Sequence, residues 1–119
     1  MRIIAPAVHR LLDFVTVVGF AVAPSWLGLS GWAATISYLL AAIHLILTLL
    51  THFPGRAARP VPFALHGAIE GVVGMALIAL PLLARWSGPC RTFYLAAGIV
   101  ILVVWALSNY QARGGDPVA

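Results

Sequence analysis

The chain has 119 residues, 62% of them apolar and 8% charged, whereas soluble domains are roughly half apolar and a quarter charged. A soluble fold of this size cannot hide so much apolar surface, so the composition specifies an integral membrane protein. The net charge of +4 excludes nucleic-acid binding, because its seven arginines mark the ends of apolar stretches and form no basic patch with interleaved aromatics.

Four apolar segments follow in chain order, at about 4–27, 32–53, 61–84 and 92–111, each long enough to cross the bilayer as a helix. The first, after "MRIIAPAVHR", is interrupted by Asp13 and lacks a small-residue cleavage site. It is therefore expected to be retained rather than removed as a signal peptide. The breaks carry turn chemistry in "APSWLGLSG", "FPGRAARPVP" and "RWSGPC". Trp26, Trp32 and Trp86 fall at the proposed membrane borders, where amphipathic rings prefer to sit, while Trp105 is expected against lipid or a neighbouring helix. Cys90 is the single cysteine, which excludes an internal disulfide and any Cys-x-x-Cys motif, and it reads as a small residue at a loop-to-helix junction.

Counted by side, Arg2, Arg10, Arg56, Arg59 and Arg113 share one face, and Arg85 and Arg91 the other. The positive-inside rule then puts both termini in the cytoplasm, with a bacterial inner membrane as the expected location. A short polar tail at 115–119 holds Asp116.

The sequence also matches itself at an offset of 57 residues. "AVHRLLDFV" lies over "ALHGAIEGV", Pro24 over Pro81, Ser30-Gly31 over Ser87-Gly88, and "THFPGR" over "SNYQAR". The expected architecture is a single all-α membrane domain, a transmembrane four-helix bundle of two tandem two-helix repeats, about 1–57 and 58–114. Each unit crosses twice, so the copies relate by a pseudo-two-fold axis along the membrane normal.

That arrangement brings His9 and Asp13 to the depth of His66 and Glu70. Both pairs are spaced i, i+4 and so lie on one helix face. The second span adds a polar stripe of Ser37, His44, Thr48 and Thr51 or His52. The expected interior cluster is His9, Asp13, His44, His66 and Glu70, rimmed by His52 and Asn109. Charges at this depth cost on the order of 2.5–3.5 kcal/mol each and are therefore paired, neutralised or facing water.

Three readings follow for the cluster. It can be hydrogen-bonded glue that fixes helix register during bundle assembly, a site for proton or cation sensing or coupled transport, or a ligand set. The last would be a divalent metal held by the two His–carboxylate pairs, or a haem with His44 and His66 as axial ligands. Gly67-x-x-x-Gly71, followed by Gly74, forms a small-residue ridge for close helix contact, within the bundle or in a homo-oligomer. A partner membrane subunit is also left open. No nucleophile–base arrangement, phosphate loop or cofactor fingerprint is present, so the sequence does not point to an enzyme.

The stretches "APSWLGLSG" (23–31) and "LPLLARWSG" (80–88) resemble the Ser-Pro-Trp signature of bacterial SPW-repeat membrane proteins. Here Ser25 separates Pro24 from Trp26, and Leu83 stands in place of tryptophan in the second copy. The resemblance implies a duplicated multi-span fold and no defined activity. A first-span acid such as Asp13 is also found in four-span small multidrug-resistance transporters, an analogy of layout only.

Overall fold

A computed structural model describes residues 2–115. Residues 116–119 of the expected tail, with Asp116, lie outside the described residues. Four helices run in order: α1 (Pro6–Leu27), α2 (Gly31–Leu50), α3 (Phe63–Leu83) and α4 (Gly88–Leu107). All four are long and apolar enough to span a membrane, and the longest dimension of 45 Å matches a bilayer with its headgroup regions.

The helix limits follow local chemistry. Pro6 and Pro89 open α1 and α4 at the first turn, where a missing N–H costs nothing. For that reason α4 starts at Gly88, four residues before the apolar run suggests. At its other end α2 stops at Leu50, short of the expected 53, because Thr51 and His52 leave the helix as strand β1 (Thr51–His52). Pro24 and Pro81 lie inside the last turns of α1 and α3. Each carbonyl there accepts a bond from the chain as it turns away, Leu29 N–H to Pro24 and Trp86 N–H to Pro81, both at 2.9 Å. Gly28 takes the left-handed conformation at the first of these turns, and Arg85 adopts it at the second, with φ of 57°.

Helices α1 and α2 pack as one antiparallel hairpin, and α3 and α4 as another. Large apolar side chains such as Leu11, Val15, Val18 and Val22 on α1, or Ile43 and Ile46 on α2, face outward. Small or polar ones such as Ser37, Thr48 and Ser108 are buried. A bundle in lipid needs its apolar stems outside and backbone-to-backbone approach inside. The core far from the polar cluster joins Phe20, Ala33, Leu77 and Tyr94. There the Tyr94 hydroxyl donates to the Ala33 carbonyl at 2.5 Å and Ser37 to the Phe20 carbonyl at 2.6 Å.

At the arginine-rich end, short extended segments cross between the hairpins. Strand β1 pairs in parallel with β2 (Val61–Pro62), Thr51 opposite Val61. Ile4 bridges Ser108 in the same sense, its N–H donating to Leu107 and its carbonyl accepting from Asn109. Thus the start of each hairpin is tied to the end of the other. The two bridges correspond to each other at the offset of 57 residues, Ile4 to Val61 and Ser108 to Thr51.

The glycine ridge packs inside the fold. A methyl group on Gly67 would meet the Tyr110 ring at 2.5 Å, one on Gly71 the Trp105 indole at 3.0 Å, and one on Gly74 the Leu102 side chain at 2.8 Å. Trp105 accordingly lies against α3 while remaining 40% exposed. Trp26 and Trp32 stand exposed at the α1–α2 turn, and Trp86 packs on Tyr94.

Candidate metal centre

Five ionisable side chains converge between the hairpins. In α1, His9 and Asp13 stand one turn apart on the inward face, and α3 supplies His66 and Glu70 in the same way. Running antiparallel to both, α2 brings His44 to their level. All five are buried, with His9 and His66 wholly inaccessible.

The three Nε2 atoms surround the two carboxylates. His9 Nε2 lies 3.3 Å from Asp13 Oδ1 and 3.0 Å from Glu70 Oε2. His66 Nε2 is 3.3 Å from Asp13 Oδ2 and 3.3 Å from Glu70 Oε1. His44 Nε2 completes the ring at 3.4 Å and 3.6 Å from Asp13 Oδ1 and Glu70 Oε1. Despite these separations, none of the three Nε2 atoms is aligned for a hydrogen bond, and Asp13 Oδ2 and Glu70 Oε2 have no hydrogen-bond partner either. One ligand atom each from His9, Asp13, His66 and Glu70 lie within 4.8 Å of one another.

The far sides of two imidazoles are fixed by hydroxyls. Ser108 Oγ donates to the Val104 carbonyl at 2.6 Å, and Thr51 Oγ1 to the Leu47 carbonyl at 2.6 Å. Each hydroxyl has a single proton, already committed, so each accepts from the histidine nitrogen facing it. His9 Nδ1 lies 2.6 Å from Ser108 Oγ and His66 Nδ1 lies 2.7 Å from Thr51 Oγ1. Both Nδ1 atoms therefore carry a proton, and a neutral ring presents its Nε2 lone pair inward. Thr51 belongs to the stripe visible in the sequence. Ser108 does not, although the offset of 57 from Thr51 is a signal that points to it.

An aromatic cap covers the histidines on the side of the crossing strands. Phe63 stands edge-on to His9 at 5.0 Å, Tyr110 is 5.7 Å from His9, and Phe53 is 5.7 Å from His66. Phe63 contacts both other caps, at 5.0 Å and 4.7 Å. Burial, reinforced by Glu70 and Asp13, holds the Tyr110 phenol above its ordinary range, so the ring stays neutral beside the carboxylates.

The two expected rim residues do not reach the cluster. His52 and Asn109 make no hydrogen bond, ion pair or ring contact with it among the described residues; Asn109 instead accepts from the Gln111 N–H. Successive side chains on extended backbone point to opposite sides, and Thr51 and Ser108 are the ones that face inward. Nor does the geometry fit a porphyrin. His44 and His66 both turn Nε2 onto Asp13 and Glu70, which occupy the space between the rings, and the cavities beside the cluster measure only ≈ 30 and ≈ 70 Å³.

Comparison with family models, curated proteins and solved structures finds no match for this chain.

Proposed function

We propose that this is a membrane-embedded binding protein for a divalent first-row transition metal. The ligands are Nε2 of His9 and His66 with the carboxylates of Asp13 and Glu70, and His44 stands beside them against both carboxylates. What carries this reading is the set of close but unaligned nitrogen–oxygen contacts. Metal bonds of about 2.0–2.2 Å at angles near 90–110° place neighbouring ligand atoms about 2.8–3.6 Å apart, and the contacts of His9 and His66 with the two carboxylates span 3.0 to 3.3 Å. Lone pairs facing oxygens at such distances repel unless a cation or a proton lies between. A dication cancels both carboxylates and leaves neutral imidazoles, so the centre carries no net charge into hydrocarbon. Imidazole with carboxylate and without thiolate suits Mn, Fe, Co, Ni or Zn, and disfavours Cu(I) and Mg.

A second reading takes its support from the placement of the pairs. His9 with Asp13 and His66 with Glu70 are joined across two hairpins, so protonated imidazoles would act as assembly glue or as a proton sensor. The metal reading includes that bridging role, because every ligand then draws both hairpins to one point.

Element analysis of the detergent-purified protein, with Co(II) as a spectroscopic probe, tests the metal reading. About one metal per chain is expected, with a d–d spectrum that His66→Ala and Asp13→Asn abolish. A folded wild-type protein that takes up no Mn(II), Fe(II), Co(II), Ni(II) or Zn(II) leaves the proton-charged alternative.

Around this centre we propose a duplicated two-span unit in a bacterial inner membrane, similar to SPW-repeat proteins, with the metal-bearing end towards the cytoplasm. Matching contacts at the offset of 57 support the duplication. They are the paired hydroxyl–histidine bonds, the paired bridges, and the left-handed turn shared by Gly28 and Arg85.

A further inference from the structure

Above the centre, on the arginine-rich end, a separate cavity of ≈ 270 Å³ is lined by Arg10, Arg56, Arg59, Thr48, Thr51 and Phe53, among others. Its three guanidiniums come from two places in the chain. Arg10 projects from α1, with its guanidinium carbon 5.0 Å from the Phe14 ring centre. Arg56 is placed by a tight turn in which its N–H donates to the Phe53 carbonyl at 3.1 Å, with Gly55 in the left-handed region at φ of 77°. Pro54 and Gly55 occupy the two central positions that favour such a turn.

Among the described residues these cations have no counter-ion of their own. The carboxylates of Asp13 and Glu70 are both enclosed by the three histidines, and Arg10, Arg56 and Arg59 form no ion pair among the described residues. Three like charges around one hollow repel unless an anion joins them. Thr48, 98% buried in the cavity wall, has a hydroxyl oxygen without a hydrogen-bond partner.

We propose that this cavity binds a phosphate oxyanion, with Arg10, Arg56 and Arg59 as its donors. Guanidinium offers paired N–H groups whose spacing matches two phosphate oxygens. The source favoured by position is the headgroup of an anionic phospholipid. The cavity lies at the end of α2, beside the half-exposed, lipid-facing Leu49, where a bilayer presents its phosphates. Free inorganic phosphate would satisfy the same donors, and the test separates the two. This inference stands apart from the metal reading, since it uses none of the metal ligands.

Native mass spectrometry of delipidated protein with phosphatidylglycerol, phosphatidylcholine or inorganic phosphate provides the test, alongside the triple variant Arg10→Gln/Arg56→Gln/Arg59→Gln. The expected result is retention of phosphatidylglycerol over phosphatidylcholine, weakened about tenfold or more in the triple variant, with no competition from millimolar phosphate. Phosphate binding that the triple variant loses would assign the site to the free ion and still support the oxyanion. The Arg85→Gln variant, at the opposite end, should bind like wild type. Equal binding of both lipids, or binding unchanged in the triple variant while its metal content and melting temperature match wild type, would overturn the proposal. If the triple variant misfolds, Arg56→Gln/Arg59→Gln, confined to the loop, gives the same reading.

Discussion

Ser108 and Thr51 settle the chemistry of the centre although neither would touch the metal. Each donates its only O–H to a backbone carbonyl one turn earlier, which leaves an acceptor for the histidine and keeps the imidazole proton on Nδ1. Removing such outer partners commonly lowers metal affinity 10–100-fold. Ser108→Ala and Thr51→Ala should each do so without changing stoichiometry, measured by competition with a chromophoric chelator. Unaltered affinity in both would mean that the hydroxyls do not orient the rings. Gly98 gives a second prediction at this scale. A methyl group there would sit 2.8 Å from the Gly74 carbonyl oxygen and 2.8 Å from Ile78, where backbone cannot yield. Gly98→Ala should cost about 1–3 kcal/mol in detergent unfolding. Gly74 is visible in the sequence as part of a ridge, whereas Gly98 stands alone in an apolar run and shows its purpose only when α4 is docked.

At the scale of elements, the hairpins meet at one end through the cluster and the two crossed bridges, and towards the other through the core of Phe20, Ala33, Leu77 and Tyr94. Four spans and the five converging ionisable residues were legible because an apolar chain makes every His, Asp and Glu conspicuous, and i, i+4 spacing fixes their shared face. The bridges were not. Strands of two residues have no periodicity to detect, and choosing between Thr51 and His52 as the inward residue requires knowing where the helix ends. Because ligands come from both hairpins, a bound metal should stabilise their association by mass action. At a hundredfold excess over Kd this amounts to about 2.7 kcal/mol. Chelation should therefore lower the melting temperature of the wild-type protein and leave that of Asp13→Asn/Glu70→Gln unchanged. Equal sensitivity of both proteins would place the metal elsewhere.

For the whole molecule, the distribution of charge predicts which way the bundle sits. Arg2, Arg10, Arg56, Arg59 and Arg113 surround the end that holds the centre, and only Arg85 and Arg91 lie at the far end. Arginines in short loops are retained on the cytoplasmic side during insertion, so the centre and the arginine-lined cavity should face the cytoplasm. Anionic lipids are recruited most strongly by a face with such an excess of cations, which makes the orientation and the oxyanion proposal consistent with each other. The single cysteine offers a direct measurement. Cys90 is partly exposed in the first turn of α4, at the end remote from the metal ligands. An impermeant maleimide added to intact spheroplasts should label it, and Cys90→Ser should abolish the signal. Labelling that appears only after the membrane is opened would reverse the bundle, and would place the centre and its ligands on the outer side.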